Sequence, residues 1–448
     1  MTKKKDLTNG SISSKLVQLT LPMMIGIISM VAFNLVDTYF VGQLGTKQLA
    51  ALSFTFPVIT IIFSIVQGLG IGATALVARS IGVSNRDKAA RETTDSLFLA
   101  VIIGGFFVIV GILTVEPTFR LLGASEDIIP YVSEYMTIWY YAILFVVVPY
   151  VGNSAIRASG DAMTPTLIML FAVVINAILD PILIFGYGPV PALGLKGAAI
   201  ATAISRGFTL VLSLYVLYFR ERLITLAIPT KEVIMGCWKS ILFIGLPSGF
   251  SRMIVPLTMA IITAILANYG EAAVAAFGIG SRIDFLAMSV LFALSASIGP
   301  FTGQNFGAKK WSRIQQGIEM SARFSLIWGA GTCVALYFMG EHIARVFTDD
   351  REIISNVSLY LQIIPLSFGL QGIAQIVNSN LNTLSRPLEA SALIVIQMLI
   401  VSIPAVYFGA SYFDVKGIYY GLTLAYITGG ILSYFYNKKI VAALATTS

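Results

Sequence analysis

Charged residues are scarce in this sequence, at 11% of 448 residues, whereas 57% are hydrophobic and the mean hydropathy is +0.85. A soluble globular protein carries about 25% charged residues. The composition therefore excludes a soluble globular domain and is typical of a polytopic membrane protein. The net charge of +7 arises from basic residues that segregate along the chain. We therefore expect a lipid bilayer as the environment and no nucleic-acid partner.

Cysteine and histidine are rarer still. Cys237 and Cys333 lie in different apolar runs, and His342 is the single histidine and lies in a charged stretch. So few ligands argue against a disulfide framework and a metal cluster. The sequence also lacks the nucleophile–base pairs that an intramembrane enzyme would need. We predict that the protein is not an enzyme and uses no cofactor.

Long apolar runs, in contrast, are abundant. Twelve are long enough for a helix to cross the hydrocarbon core, which takes about 20 residues. They cover approximately 15–43, 47–79, 93–115, 129–150, 163–186, 193–219, 238–268, 272–304, 318–340, 353–380, 388–410 and 416–437. The sequence therefore predicts an all-α membrane protein with 12 transmembrane helices.

The basic residues of the connecting segments predict the orientation of these helices. Nineteen fall on one side of the membrane and six on the other, while Arg206, Arg252, Arg282 and Arg323 fall within spans. Positively charged loops are retained in the cytoplasm. We therefore expect both termini to be cytoplasmic and the chain to be a multi-pass protein of the bacterial inner, or plasma, membrane.

The two halves of the chain resemble each other. Pro22 and Gly45 recur as Pro247 and Gly270 at the same offset, and the segment 195–197 recurs at 415–417 with a slightly smaller offset. Because each half holds six spans, both enter the membrane in the same direction, which predicts two six-helix bundles related by a parallel pseudo-two-fold axis. Transporters commonly bind substrate in or between such repeats.

This repeat divides the chain into three parts. Residues 1–222 are the predicted N-lobe, with the first six spans. Residues 223–234 form a polar cytoplasmic linker, and residues 235–448 are the predicted C-lobe. A duplicated twelve-span chain favours alternating access over a passive channel.

Two acids break the repeat. Asp37 aligns with Ile262, and Asp180 aligns with about Val401. A carboxylate within a span is costly and usually faces a bundle interior or an aqueous cavity. Since the fold itself would need an acid in both halves, the asymmetry indicates a chemical role in the N-lobe. The alternative is that both acids lie at the outer interface and face water or headgroups.

Polar residues accompany these acids. Asn34 lies three residues before Asp37 and Asn176 four before Asp180, so each amide is expected on the face of its acid. Asn153 and Thr202 complete a predicted polar cavity. Such a site can exchange protons. Alternatively, oxygens of Asp37, Asn176, Asp180 and Thr202 can bind Na⁺ as hard ligands.

Four weaker signals remain. Pro22 allows a hinge or a static bend in the first span. The glycine-rich stretch QGLGIGA at 67–73 resembles a nucleotide loop, but its position within a span favours close helix packing. Met30, Phe33 and Phe56 are suited to a substrate-lining surface or to lipid contact. Arg252 and Asp284 lie at comparable distances from the Gly270 turn, which favours a structural pair across the hairpin; the alternative is a role in transport.

Several segments resemble the multidrug and toxic compound extrusion (MATE) family. They are LTLPMMIGIISMVAFNLVDTYFVGQLGTKQLAALSFTFP at the start, RASGDAMTPTLIM before the fifth span, and ILDPILIFG and LGLKGAAIATAIS around the fifth and sixth. The resemblance covers essentially the whole chain. It implies a V-shaped arrangement of two bundles and export of amphipathic, often cationic, drugs or toxic metabolites, driven by inward flow of H⁺ or Na⁺. Such export would confer antibiotic resistance.

Within this family the sequence is similar to the DinF-like branch, and the resemblance implies that Asp37 and Asp180 couple cation flow to export. Asn153, Asn176 and Thr202 match their polar neighbours, and Pro22 matches a proline linked to bending of the first span. The segment 246–262 lacks the acid of another bacterial branch. We expect a monomeric antiporter. The alternative is a flippase or exporter of a lipid-linked or endogenous metabolite.

Overall fold

The computed structural model of the protein describes residues 6–447, and this part of the chain is almost entirely helical. The first half contains α1 (Ile12–Gly42), α2 (Thr46–Gly82), α3 (Arg86–Leu121), α4 (Ile129–Tyr141), α5 (Leu144–Ala158), α6 (Met163–Phe185) and α7 (Gly194–Tyr215). The second half contains α8 (Lys231–Ala267), α9 (Glu271–Gly307), α10 (Trp311–Phe347), α11 (Arg351–Ile363), α12 (Phe368–Thr383), α13 (Pro387–Val395) and α14 (Ile403–Thr447). The prediction of an all-α fold is confirmed.

These helices account for the twelve predicted spans. Ten continuous helical stretches of the described chain are long and apolar enough to cross a membrane, and α4 with α5 forms an eleventh span bent by 45°. The last stretch is broken inside α14, where Phe413 and Asp414 leave the helical conformation. This break separates the eleventh predicted span from the twelfth.

The backbone confirms the internal repeat. Ser84 and Lys309 occupy equivalent positions in the two halves, and both adopt a left-handed conformation, with φ of 60° and 55°. Gly194 and Asp414 are likewise equivalent, with φ of 57° and 51°. Left-handed residues mark turns that end or begin helices. The two halves therefore share their turns even where their side chains differ.

Close backbone packing explains the glycines of the second span. A Cβ atom at Gly68 would lie 2.1 Å from the carbonyl oxygen of Gly245, and one at Gly72 would lie 2.7 Å from that of Ile241. Glycines four residues apart let two membrane helices approach closely. Helix α2 thus packs on the first part of α8 through Gly68 and Gly72, and the prediction of helix packing for QGLGIGA is confirmed.

Contacts divide the chain into two compact units. The N-terminal unit contains residues 21–249, and the C-terminal unit contains residues 7–20 and the chain from Phe250 onward. The predicted lobes therefore differ from the units in two segments, the beginnings of α1 and α8.

Hydrogen bonds fix these two segments. In the C-terminal unit the Leu7 amide donates to Gln304 Oε1, 3.0 Å away. In the N-terminal unit the Trp238 indole donates to the Asp95 carbonyl oxygen at 2.9 Å, and the Thr225 amide donates to Thr94 Oγ1 at 3.0 Å. The predicted linker is consequently anchored to α3.

Candidate functional site

Helix α1 presents a narrow buried stripe to the N-terminal unit. Ser29, Phe33, Asp37 and Val41, spaced four residues apart, are all buried, and Asp37 is only 8% exposed. Residues four apart lie on one helix face. The pattern places the Asp37 carboxylate in the interior of the unit rather than at an exposed interface.

Helix α6 supplies the second acid. Asp180 and Asn176 are both fully buried, and Asn176 Nδ2 donates to Asp180 Oδ1 at 3.1 Å. The spacing of four residues brings the amide directly beside the carboxylate. The local arrangement predicted from the sequence is therefore present.

The two acids lie close enough to interact electrostatically with each other and with Tyr135 of α4, which is itself buried. Thr202 of α7 is also buried. The electrostatic interactions thus connect α1, α4 and α6. That Asp37 and Asp180 act together in cation coupling stays a prediction.

Four buried oxygens of this site find no hydrogen-bond partner among the described residues. They are Asp37 Oδ1, Asn176 Oδ1, Asp180 Oδ2 and Thr202 Oγ1. A buried polar atom without a partner is costly. The same four residues were predicted from the sequence as Na⁺ ligands. Carboxylate, amide and hydroxyl oxygens are suitable ligands for a hard cation and can also bind protons. The donor set therefore fits a cation.

Three predicted site residues are exposed. Asn34 does not share the buried face of Asp37, because Phe33, four residues before Asp37, occupies that face. Met30 and Phe56 are 42% and 48% exposed, whereas Phe33 is buried. That Asn34 lines a polar cavity, and that Met30, Phe33 and Phe56 line the substrate path, stay predictions.

Asn153 has a partner of its own. Its Oδ1 accepts a hydrogen bond from the Ser213 hydroxyl of α7 at 3.2 Å. The amide joins α5 to α7 and does not contribute to the set of unpartnered oxygens.

Sequence reasoning missed the basic group of this site. Arg206 of α7 places its guanidinium 4.4 Å from the centre of the Phe33 ring, and its Nη1 lies 3.6 Å from Met169 Sδ. It interacts electrostatically with Asp37 and Tyr135. The sequence did contain a signal for this contact, because Arg206 is a basic residue inside a span in the same half as the two intramembrane acids.

The helix containing Pro22 is continuous across this residue. The Thr166 hydroxyl of α6 donates to the Pro22 carbonyl oxygen at 2.7 Å. Thr166 belongs to the RASGDAMTPT segment, which the sequence singled out without assigning it a contact. It ties α6 to α1 at the candidate hinge.

In the C-terminal unit the predicted Arg252–Asp284 pair does not form. The Tyr360 hydroxyl of α11 donates to Asp284 Oδ2 instead. Gly280, one turn before Asp284, leaves room for the Tyr360 ring, since a Cβ atom there would lie 2.5 Å from a ring carbon. This packing brings the phenol to the carboxylate.

The family of the chain follows from comparison with known proteins. The MatE family model matches residues 22–182 and again 247–408. The two matches cover most of the chain, and they begin at Pro22 and Pro247, which the repeat pairs with each other. The chain belongs to the MatE family and is a multi-pass membrane transporter.

Individual relatives match all or nearly all of the chain. A FAD transporter from Shewanella oneidensis is 35% identical over 448 residues, which is all of this chain and 99% of that protein. The multidrug export protein MepA of Staphylococcus saprophyticus is 26% identical over 93% of this chain and 91% of its own. The bent form of the Vibrio cholerae MATE transporter VcmN superposes with a TM-score of 0.92 at 29% identity, covering 96% of this chain and 97% of that one.

Proposed function

We propose that the protein is a secondary antiporter that exports amphipathic, cationic compounds in exchange for H⁺ or Na⁺. The observation that carries this proposal is the set of four unpartnered buried oxygens around Asp37 and Asp180. A bound cation would satisfy oxygens that otherwise lose hydrogen-bonding energy. Family membership and the similarity to MepA support drug export.

The chemistry of exchange follows from charge. With both carboxylates ionised, the site carries a net negative charge even beside Arg206 and attracts a cationic drug. When protons neutralise the acids, or Na⁺ binds among Asp37, Asn176, Asp180 and Thr202, the attraction is removed. A cation arriving from outside therefore releases a cationic substrate, because the two compete for the same negative charge.

Pro22 is the proposed hinge of this exchange. A proline inside a helix removes one backbone hydrogen bond and permits a bend. Pro22 lies one residue beyond the point at which α1 passes from one unit to the other. The similarity to VcmN, which has been solved in a bent form, supports this role.

We further assign the chain to the DinF-like branch, because its intramembrane acids lie on α1 and α6 and the segment 246–262 carries none. We propose that it acts as a monomer in the bacterial inner membrane with both termini in the cytoplasm. The excess of basic residues on one side of the membrane supports this orientation.

Transport in proteoliposomes tests the coupling. Ethidium efflux driven by an imposed pH or Na⁺ gradient is expected from the native protein and is expected to fall to the background rate in Asp37→Asn and Asp180→Asn. Asp284→Asn is the matched control, because it removes a partly buried carboxylate from the C-terminal unit. Gradient-driven efflux that survives in both Asp37→Asn and Asp180→Asn would contradict the mechanism.

A second candidate function is export of FAD. The 35% identity to a FAD transporter over the whole chain favours it, as does the basic Arg206 beside the acids. This is the endogenous-metabolite alternative in a specific form. Release of FAD from preloaded proteoliposomes would support it, and no release above empty-lipid controls would exclude it.

A further inference from the structure

Arg206 lies in the middle of a membrane helix without a full set of acceptors. Among the described residues its direct partners are the Phe33 ring, at 4.4 Å, and the Met169 sulfur, at 3.6 Å. A thioether is a weak acceptor, whereas a guanidinium carries five N–H donors. Intramembrane arginines are costly, and they usually mark a functional site.

The orientation of this side chain favours an anion. The guanidinium carbon lies over the Phe33 ring, which takes up none of the N–H groups in an ordinary hydrogen bond. Among the described residues only Nη1 has an acceptor, the weak Met169 sulfur. Two parallel N–H groups of a guanidinium match the two oxygens of a phosphate or carboxylate.

Arg206 and the acids form two layers along the bundle. Phe33 lies one turn before Asp37 on α1, and Arg206 lies one turn after Thr202 on α7, which runs in the opposite direction. Four residues of helix correspond to about 6 Å. The arginine layer is therefore displaced from the acids toward the end of the unit that the charge distribution predicts to be cytoplasmic. A substrate that enters from the cytoplasm would reach Arg206 first.

We propose that Arg206 binds the phosphate group of an aromatic anionic substrate and thereby sets the substrate class of this transporter. This inference rests on the proposed export of FAD. Export of an anion also gains energy from an inside-negative membrane potential. An anion therefore does not need to be exchanged for the cation held by the acids.

The charged surroundings of Arg206 leave it available to an anion. Asp37 of α1 and Tyr135 of α4 interact electrostatically with it, and its direct contacts, the Phe33 ring and the Met169 sulfur, are uncharged.

Binding measurements on the full-length protein in lipid nanodiscs test the proposal. The probes are FAD and riboflavin, which share the isoalloxazine ring, whereas only FAD carries a diphosphate and its adenosine. FMN, which differs from riboflavin by one phosphate alone, separates the phosphate from the adenosine. The readout is the ratio of the dissociation constants. Arg206→Gln is expected to weaken FAD binding about ten- to hundredfold, as loss of a charge-assisted hydrogen bond implies, while riboflavin binding changes little. Arg206→Lys should recover part of the loss.

Arg157→Gln is the matched control. Arg157 also contacts a ring, with its guanidinium 5.9 Å from the centre of Tyr150, but its Nη2 already donates to Ser154 Oγ at 2.7 Å. This variant should leave the FAD-to-riboflavin ratio unchanged.

Two results would overturn the proposal. They are no FAD binding to the native protein, and equal loss of FAD and riboflavin binding in Arg206→Gln. The second result would reduce Arg206 to a structural counterion of Asp37. Failure of gradient-driven ethidium efflux, with Arg206-dependent FAD binding intact, would instead refute the coupling proposal alone.

Discussion

The crossing of α2 and α8 makes a quantitative prediction for Gly68→Ala. The added Cβ would lie 2.1 Å from the Gly245 carbonyl oxygen, whereas an ordinary contact starts at 3.4 Å. Because backbone faces backbone, the helices must separate by about 1 Å, and such overpacking costs about 3 kcal/mol, the upper end of its usual range. Because alanine has a higher helix propensity than glycine, the substitution also stabilises the helix by about 1 kcal/mol. The net loss in free energy of unfolding is about 2 kcal/mol.

Gly236→Ala is the matched control on α8. Gly236 is exposed, and no atom lies within 4 Å of its added Cβ, so this variant should gain about 1 kcal/mol. Thermal unfolding of the detergent-solubilised proteins can be monitored by size-exclusion chromatography. The unfolding midpoint should be lowest for Gly68→Ala, intermediate for the native protein and highest for Gly236→Ala. A Gly68→Ala midpoint at or above the native one would refute the packing argument.

Two further substitutions can be measured by the same assay. Thr166→Val removes the hydrogen bond to the Pro22 carbonyl oxygen and should lower the free energy of unfolding by about 0.6 kcal/mol, the average for interhelical hydrogen bonds in a membrane. Thr166→Ser keeps the hydroxyl and should retain native stability. Equal unfolding midpoints for the two variants would argue against the bond. Asp414→Gly should raise stability by up to about 1 kcal/mol, because φ is 51° at this break in α14. Asp414→Val should lower stability, and a native midpoint for this variant would contradict the inferred strain.

Periodicity and repetition are strong signals in this chain. The long apolar runs predicted the spans, and the recurrence of Pro22 and Gly45 predicted the duplication, because a bilayer imposes a minimum helix length and a repeat preserves turns. Helical spacing placed Asn176 beside Asp180 correctly. The same rule failed for Asn34, since spacings of three and four both approximate one helix turn and Phe33 took the buried position.

Contacts between distant helices were harder to predict. Arg206 was recognised as intramembrane, but its stacking on Phe33 depends on how α1 and α7 pack, which a single sequence does not specify. Asp284 was expected to pair with Arg252 because the two lie at comparable distances from the Gly270 turn. A phenol became its partner, since Gly280 opens space for the Tyr360 ring.

The division into units has a consequence for the origin of the duplicated chain. Residues 7–20 complete the C-terminal unit, and the beginning of α8, their counterpart in the second half, completes the N-terminal unit. Each half thus lends its first segment to the other, which is the arrangement of a domain-swapped dimer. A single ancestral half with the same contacts would have lacked the arm that completes its own bundle in the present chain.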